Sequence, residues 1–269
     1  MKYLTFAPPP ALAGFVRYYW ALEHDVSASN PYIHRTMADG CAELIFHYKG
    51  RFEEFKTADT TELSFTSGIH GPTDHFRRFR INQDFGIFGV YLYPFAIPAL
   101  FGIPSTEIIN EMPDLITFLG KEGDELEDKM MLAPDHNVRV SILNAFLEKR
   151  LKSRPLREPA VFSVISQIIK GNGIANVSEL AAQSFLSTRQ FERKFKAFSG
   201  FSPKLFTRII RFHAAMDAYG DTDRSLTEIA YDCGYYDQSH FIHEFKTFSG
   251  EHPKVYFSGR AEGTGYRDV

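Results

Sequence analysis

The sequence predicts an α+β fold, with a strand-rich N-terminal half followed by helices and an all-α C-terminal domain. Short runs of aromatic and β-branched residues between turn residues fill the first half, which is typical of antiparallel strands. The last third has helical periodicity with capping signals, and it contains an internal repeat. With 269 residues, 44% of them hydrophobic, the chain is long enough for one large domain or two ordinary ones.

Strands and then helices are predicted in order along the N-terminal part. The predicted strands cover residues 42–48, 62–65, 76–81 and 86–93. The predicted helices cover 100–101 up to Gly102, 108–109, 115–119 up to Gly120, and 140–151. This order predicts an antiparallel β-barrel with helices at its C-terminal end. Two prolines and dense charge in residues 151–159 suit neither core, which predicts a linker there.

The internal repeat lies in the C-terminal third. Phe191-x3-Phe195-Lys196-x-Phe198-Ser199-Gly200 recurs as Phe241-x3-Phe245-Lys246-x-Phe248-Ser249-Gly250, at an offset of 50 residues. Upstream, Ser178-Glu179 matches Thr227-Glu228 at an offset of 49, so the second copy has one extra residue near 234–236. An insertion confined to one point indicates a turn between two helices.

Each copy carries the signals of two short helices joined by a turn. A polar capping residue begins each helix, and a glycine that favours a left-handed stop ends the second one. The predicted caps are Asn176 with Glu179, Ser187 with Gln190, Ser225 with Glu228, and Asp237, and the predicted stops are Gly200 and Gly250. This is the helix-turn-helix pattern, whose second helix enters the major groove of DNA. For a single copy, a helical hairpin that only packs is an equal alternative.

A long helix is predicted between the two copies. Ser202-Pro203 is typical of a helix start, and apolar residues follow at helical spacing up to Gly220. About 17 residues at 1.5 Å rise span about 25 Å, a rigid spacer for major grooves about 34 Å apart. The predicted domains are a barrel for sensing or dimerisation over 1–150, a linker over 151–159, a double helix-turn-helix domain over 160–258 and a flexible tail over 259–269.

The formal net charge of −3 hides an uneven distribution. Residues 1–159 hold 17 Lys and Arg against 21 Asp and Glu, whereas residues 160–269 hold 13 against 12. Ser187 to Arg211 holds seven basic residues and one acidic residue, a local charge of +6. Such a cluster is the electrostatic footprint expected of phosphate contact, although a basic helix face is more often simply solvated.

The segment from about Val161 to Phe257 strongly resembles the DNA-binding domain of AraC/XylS-type transcription regulators. The resemblance is carried by Glu179-Leu180-Ala181-Ala182, Leu186-Ser187-x-Arg189-Gln190-Phe191-x-Arg193-x-Phe195, Gly200-Phe201-Ser202-Pro203-Lys204 and Glu228-Ile229-Ala230-x3-Gly234-Tyr235-Tyr236-Asp237-Gln238-Ser239-His240-Phe241. It implies a bacterial, cytoplasmic, sequence-specific regulator of transcription. It also implies a cupin-like N-terminal sensor domain, which Asp39-Gly40-x2-Glu43-Leu44-Ile45-Phe46 resembles.

The resemblance places the DNA-binding residues on the outward face of each second helix. Arginine forks onto guanine, which makes Arg189 and Arg193 the expected base readers. The family often has arginine where this chain has His243, so the second copy is expected mainly to grip phosphates. The candidate DNA-binding residues are Thr188, Arg189, Glu192, Arg193, Lys194, Lys196, Gln238, Ser239, His240, Ile242, His243 and Lys246.

The N-terminal part offers a candidate pocket and no metal motif. Tyr18, Trp20, Phe46 and Tyr91 are the candidate ligand-pocket residues, with plain core packing as the alternative. Metal-binding cupins use a close His-x-His pair followed by glutamate, and this spacing does not occur, so no metal and no cofactor are predicted. The histidines and acid considered were His34, Glu43, His47, His70 and His75. Cys41 and Cys233 are expected to be buried thiols.

These observations together predict a DNA-binding transcription regulator that is not an enzyme. Its expected partners are double-stranded DNA, RNA polymerase and a small-molecule effector, and it would act as a monomer or homodimer. No apolar run approaches the roughly 18 residues of a membrane helix, and the start lacks a signal pattern. A small-molecule-binding or catalytic barrel targeted to DNA is the first alternative. A ligand-independent regulator controlled by its abundance is the second.

Overall fold

The computed structural model describes residues 1–27, 29–154, 159–174, 176–182, 184, 186–217 and 224–263. Its N-terminal part is built from antiparallel strands, as predicted. The strands are β1 Lys2–Phe6, β2 Val16–His24, β3 Tyr32–Thr36, β4 Ala42–Lys49, β5 Glu53–Phe55, β6 Thr61–Leu63, β7 Ser67–His70, β8 Arg77–Ile81 and β9 Phe85–Leu92.

The strands form two antiparallel sheets. One has five strands in the order β1-β2-β9-β4-β7, and the other has four in the order β3-β8-β5-β6. The predicted antiparallel fold is therefore confirmed, while the pairing of the described strands does not show a closed barrel. The sequence prediction missed β1, β2, β3, β5 and β7, which are short or contain polar residues.

The five-stranded sheet is covered on both faces. Side chains alternate between the two faces along each strand, so neighbouring residues enter different apolar clusters. On β4, Leu44 and Phe46 pack into the apolar cluster formed with the helices that follow the sheet. Ile45 lies in the opposite cluster, together with Phe79 and Ile81 of the four-stranded sheet. The two sheets thus face each other across a second core.

Helices follow the sheets, in agreement with the sequence prediction. A π-helical turn, Ile97–Phe101, ends at Gly102 with φ +74°, and a single 3₁₀ turn covers Ser105–Glu107. The prediction of a helix at residues 108–109 is wrong, because these residues follow that turn and lie outside any helix. The α-helices are α1 Leu115–Leu119, α2 Lys121–Leu132 and α3 His136–Ser153. α3 continues three residues into the predicted linker, and residues 155–158 of that linker lie outside the described residues.

The C-terminal part contains only helices among its described elements. They are α4 Pro159–Lys170, α5 Val177–Ala182, α6 Thr188–Ser199, α7 Pro203–Met216, α8 Leu226–Asp232, α9 Gln238–Ser249 and α10 Pro253–Phe257. The predicted caps are present: Ser187 and Ser225 form full capping boxes, and the Asp237 side chain accepts from the His240 amide. Gly200 and Gly250 have φ of +86° and +74°, which makes glycine the favoured stop.

The connecting helix α7 is shorter than predicted. Ser202 caps it and Pro203 is its first residue, as the sequence indicates, but it ends at Met216. Its 14 residues span about 21 Å. The predicted stop, Gly220, lies outside the described residues.

The two parts of the chain share one apolar core. Met37, Ala38 and Phe95 of the N-terminal part belong to the same buried cluster as the helices α4 to α9. The Phe95 and Phe162 rings lie 4.9 Å apart between centroids. The first residues of the predicted tail are also held in place, since Glu262 accepts two hydrogen bonds from Arg78 at 2.7 and 2.8 Å. Residues 264–269 of that tail lie outside the described residues.

Candidate nucleic-acid interface

The second helix of the first repeat, α6, has one apolar face and one basic face. Phe191 and Phe195 are buried in the shared core. The candidate residues on the opposite face are accessible: Thr188, Arg189, Glu192, Arg193 and Lys196 are exposed, and Lys194 is half-buried. The helix therefore anchors itself through aromatic packing and presents two arginines to the outside.

The matching helix of the second repeat, α9, is anchored in the same way. Phe241 and Phe245 are fully buried. Gln238, Ser239, His240, His243 and Lys246 are exposed, and Ile242 is half-buried. The outward face of α9 thus carries polar and imidazole side chains where α6 carries guanidinium groups.

A buried carboxylate sets α9 apart from α6. Glu244 occupies the position equivalent to Lys194, and its side chain is 1% exposed. Arg208 of α7 donates to its Oε1, and Arg211 of α7 and His240 lie 4.0 and 3.7 Å from its Oε2. This network fastens α9 to α7, and the sequence prediction missed it. The sequence does contain a sign of it: an acidic residue lies between Phe241, Phe245 and Phe248, and the facing helix carries two arginines.

The Glu244 network also corrects the meaning of the +6 charge cluster. Arg208 and Arg211 count toward that cluster, but both turn inward to Glu244. The outward basic charge comes instead from Arg189, Arg193, Lys196 and Lys204, which are exposed. The candidate phosphate-binding surface is therefore concentrated on α6 and the start of α7.

The N-terminal part holds both recognition helices at their C-terminal ends. The Ser105 hydroxyl donates to the carbonyl oxygen of Phe198 at 3.0 Å. The Ala38 amide donates to the carbonyl oxygen of Phe248 at 3.0 Å. Phe198 and Phe248 are equivalent positions of the repeat, so the same acceptor is used in both copies. The last carbonyls of a helix lack intrahelical partners, which makes them natural docking points.

The second copy has further contacts with the N-terminal part. Arg35 donates to the carbonyl oxygen of Ser249 at 3.1 Å and to the carboxylates of Glu251 and Glu262 at 3.0 Å each. His213 Nε2 lies 2.8 Å from the Ala38 carbonyl oxygen. α9 is thus clasped from two directions.

A cavity of about 290 Å³ lies between the two sheets and the end of α7. Three of the four candidate pocket residues, Tyr18, Trp20 and Tyr91, line it. The prediction for Phe46 is wrong: strand alternation turns Phe46 to the other face of the sheet, where it packs against the helical layer.

Three of the histidines considered for metal binding line this cavity with Glu43. Burial lowers the pKa of His34 and His47 to about 4 each and that of His70 to about 3. Burial also raises the pKa of Glu43 to about 8. In the described ranges, no group of three or more His, Cys, Asp or Glu side chains is arranged to hold a metal ion. His75 lies apart, 3.0 Å from Asp74.

Both cysteines lie inside the protein. Cys41 and Cys233 are buried free thiols, as predicted. Burial is the main cause that raises the pKa of both. Among the described helices, none has the length and apolar character to span a bilayer.

Comparison with known proteins decides the family of the C-terminal part. Residues 180–259 match the family model described as a helix-turn-helix domain. The HTH-type transcriptional activator RhaS of Klebsiella pneumoniae (strain 342) is 33% identical over 82 residues, which is 30% of each chain. Residues 180–259 thus form a helix-turn-helix domain that is similar to the matching part of RhaS.

This chain spans only about 30% of the length of the curated relatives it matches. RhaS of Salmonella arizonae likewise is 33% identical over 81 residues, 30% of this chain and 29% of that one. The N-terminal part matches a different family model over residues 4–114, described as a domain of unknown function, DUF6597.

Two solved structures resemble most of this chain in fold. ToxT from Vibrio cholerae, in its P21 crystal form, covers 89% of this chain and 98% of its own at a TM-score of 0.50 and 12% identity. ToxT from strain O395, bound to (E)-4-(8-methylnaphthalen-1-yl)but-3-enoic acid, covers 97% of this chain and 100% of its own at a TM-score of 0.50 and 10% identity. These matches show a shared two-part architecture.

Proposed function

We propose that this protein is a sequence-specific double-stranded DNA-binding regulator of transcription. The observation that carries the proposal is the pair of exposed recognition-helix faces at equivalent positions of the repeat, one of them with two outward arginines. A helix-turn-helix reads bases with the exposed residues near the start of its second helix. The matched RhaS proteins, described as transcriptional activators, support the same function.

The two recognition helices have different tasks in this proposal. Arg189 and Arg193 read guanine in the major groove, because each guanidinium forks onto O6 and N7. On α9, Gln238, Ser239 and Lys246 hold phosphates, and His243 stands where arginine would read a base. Thr188, Glu192, Lys194, Lys196, His240 and Ile242 complete the proposed DNA-contacting set.

The N-terminal domain supplies regulation in this proposal. Its cavity binds a small effector, the domain contributes to dimerisation where the protein acts as a dimer, and the division between domains falls within residues 151–159. The protein acts by binding and not by catalysis, recruits or excludes RNA polymerase at the promoter, and works in the cytoplasm with the chromosome. The cavity also fits the small-molecule-binding form of the alternative, a barrel targeted to DNA.

Selection from a random pool of double-stranded DNA tests the proposal. The full chain should enrich one sequence with two contact regions about one helical turn apart. A variant carrying both Arg189→Ala and Arg193→Ala should lose the enrichment of one region and keep salt-sensitive binding to any DNA. Enrichment of no sequence by the wild-type chain would contradict the proposal.

A further inference from the structure

The cavity is built from both domains. The sheets contribute most of its wall, and His213, Met216 and Asp217 at the end of α7 complete it. Its volume of about 290 Å³ lies at the lower end of small-molecule sites, which hold about 300–1,000 Å³. A molecule inside therefore touches the connector between the two helix-turn-helix units directly.

Two hydroxyl groups in the wall have no hydrogen-bond partner among the described residues. They are Thr36 Oγ1 and Ser64 Oγ, and both residues line the cavity. Buried donors and acceptors in native proteins are nearly always paired, because an unpaired one costs about 1–3 kcal/mol. Their concentration in one cavity points to an occupant that pairs with them.

Three charged groups of the same wall, Asp39, Arg35 and Arg17, already have partners, whereas Asp217 is exposed. Asp39 accepts from the Cys41 amide at 2.8 Å and from the Tyr91 hydroxyl. Arg35 is occupied by Ser249, Glu251 and Glu262, and Arg17 stacks on the Tyr91 ring, 5.0 Å from its centre. At neutral pH the raised pKa of Glu43 keeps that group protonated, and the lowered pKa values keep the three histidines neutral. What the wall still offers to an occupant is uncharged hydrogen bonding between aromatic surfaces.

The wall of the cavity is also the dock of the second helix-turn-helix unit. Arg35 and His213 line the cavity and clasp the Ser249 and Ala38 carbonyls. Met37 and Asp39, which flank the Ala38 amide that holds Phe248, line it as well. The dock of the first unit, Ser105 on Phe198, lies outside the cavity wall.

We propose that the cavity binds an uncharged small molecule with several hydrogen-bonding groups, and that this molecule strengthens the docking of the second helix-turn-helix unit. The reason is linkage: the wall is complete only while α7 is docked, so a molecule that touches both domains binds the docked arrangement better. The inference rests on the proposed function, because it assigns the regulator's effector class and names the unit on which the effector acts.

A fragment screen on the full chain tests the ligand class. Uncharged, anionic and cationic fragments of matched size, such as benzamide, benzoate and benzylamine, are compared by ligand-observed NMR at pH 7.5. Cavity-specific fragments are those whose affinity falls at least about fivefold in Thr36→Val and Ser64→Ala, but not in Thr5→Val, which changes an exposed strand residue. We expect these fragments to be uncharged. Cavity-specific hits that are mainly anionic or cationic, or no cavity-specific hit, would overturn the class.

Hydrogen exchange tests the coupling with the tightest uncharged fragment. The Ala38 amide reports the dock directly, since it donates to Phe248. Its exchange should slow at least about threefold on saturation, while the amides of α6 stay unchanged. Asp217→Ala should weaken the fragment although it changes the other domain, and Lys204→Ala, at the far end of α7, should not. Unchanged Ala38 exchange in the saturated protein contradicts the coupling.

The same samples separate this inference from the proposed function. If the protein binds its selected DNA normally but the fragment does not change the exchange of the Ala38 amide, the inference is refuted and the DNA-binding function stands. Slowed Ala38 exchange in a protein that enriches no DNA sequence refutes the function and leaves the coupling standing.

Discussion

The two helix-turn-helix units have the same scaffold and different chemistry. Both begin their second helix with a side-chain cap, bury two phenylalanines four residues apart, and end at a glycine with positive φ. At matching outward and inward positions they differ: Arg193 corresponds to His243, and Lys194 corresponds to Glu244. The comparison teaches that caps and apolar contacts maintain a duplicated fold, while the remaining positions are free to specialise.

The units also differ in how firmly they are held. One hydroxyl-to-carbonyl hydrogen bond, Ser105 to Phe198, meets the end of α6. The end of α9 meets the Ala38 amide and the Arg35 guanidinium, and Glu244 joins α9 to α7 from the other side. The second unit thus makes more hydrogen bonds to the rest of the molecule, and the first carries the two outward arginines.

Removal of the Glu244 carboxylate should break this difference most severely. Glu244→Ala leaves Arg208 and Arg211 without their buried partner, and such a loss costs about 3 kcal/mol or more of the free energy of unfolding. Urea denaturation followed by circular dichroism measures it. Glu192→Ala, on the exposed face of α6, is the control and should change stability by less than about 0.5 kcal/mol. Equal effects of the two changes would contradict the structural role of Glu244.

A lower pH should destabilise the folded protein through the buried titratable groups of the cavity wall. The folded pKa values of His34, His47 and His70, about 4, 4 and 3, lie below the unfolded value near 6.5. Between pH 6.5 and 4 the unfolded chain binds protons that the folded chain does not, so the free energy of unfolding decreases as the pH is lowered. Glu43 opposes this change, because its pKa is raised to about 8. The three histidines outweigh the single carboxyl group, so the net result should be a loss of a few kcal/mol of the free energy of unfolding.

Thermal unfolding at pH 7 and at pH 4.5 measures this dependence. His70→Asn removes one buried titrating group and should reduce the loss, whereas Gln238→Asn, which changes an exposed residue of α9 that does not titrate, should leave it unchanged. A loss of stability that His70→Asn does not reduce would contradict the account.

Replacement of the outward arginine should separate the two units in DNA reading. Arg193→Ala should weaken binding to the selected sequence by about 1–3 kcal/mol, or about 5- to 150-fold, and binding to random DNA much less. The equivalent change in the second unit, His243→Ala, should weaken both kinds of binding slightly. Fluorescence anisotropy at fixed salt measures both. Equal losses on specific and random DNA would remove the base-reading role of Arg193.

The matched lysines provide the smallest effect. Lys196→Ala and Lys246→Ala each remove one candidate phosphate contact, so each should lower the slope of log affinity against log salt concentration by about 0.9. The loss of affinity should be nearly the same on all sequences. An unchanged slope for Lys246→Ala would place the second unit farther from the phosphates than proposed.

Local signals were enough to predict the helical part from the sequence. Caps, glycine stops and a proline at the first turn act within a few residues, so Ser187, Asp237, Gly250 and Pro203 fall where they were expected. The strands are less local: β1 and β3 depend on their partners β2 and β8 for every ladder hydrogen bond. Their short polar sequences give no sign of those partners.

Contacts between distant segments could not be predicted from the sequence. Arg35 reaches residues more than 200 positions away, and the local pattern gives it only a place on a strand. The cavity shows the same limit. Aromatic composition suggested Tyr18, Trp20 and Tyr91, which line the cavity, but the face of Phe46 depends on strand register, which one sequence leaves undetermined.

The docked carbonyls of Phe198 and Phe248 show that the internal repeat also repeats a docking point. Repetition of the helix repeats the unpaired carbonyl groups at its C-terminal end. The N-terminal part therefore meets the same acceptor twice, at a spacing set by α7. Ser105 donates to one of these carbonyls with its side chain, and Ala38 donates to the other with its backbone amide. The two donors lie on separate segments. Because the two contacts are separate, a change at either one can alter the docking of one unit and leave the other unit in place.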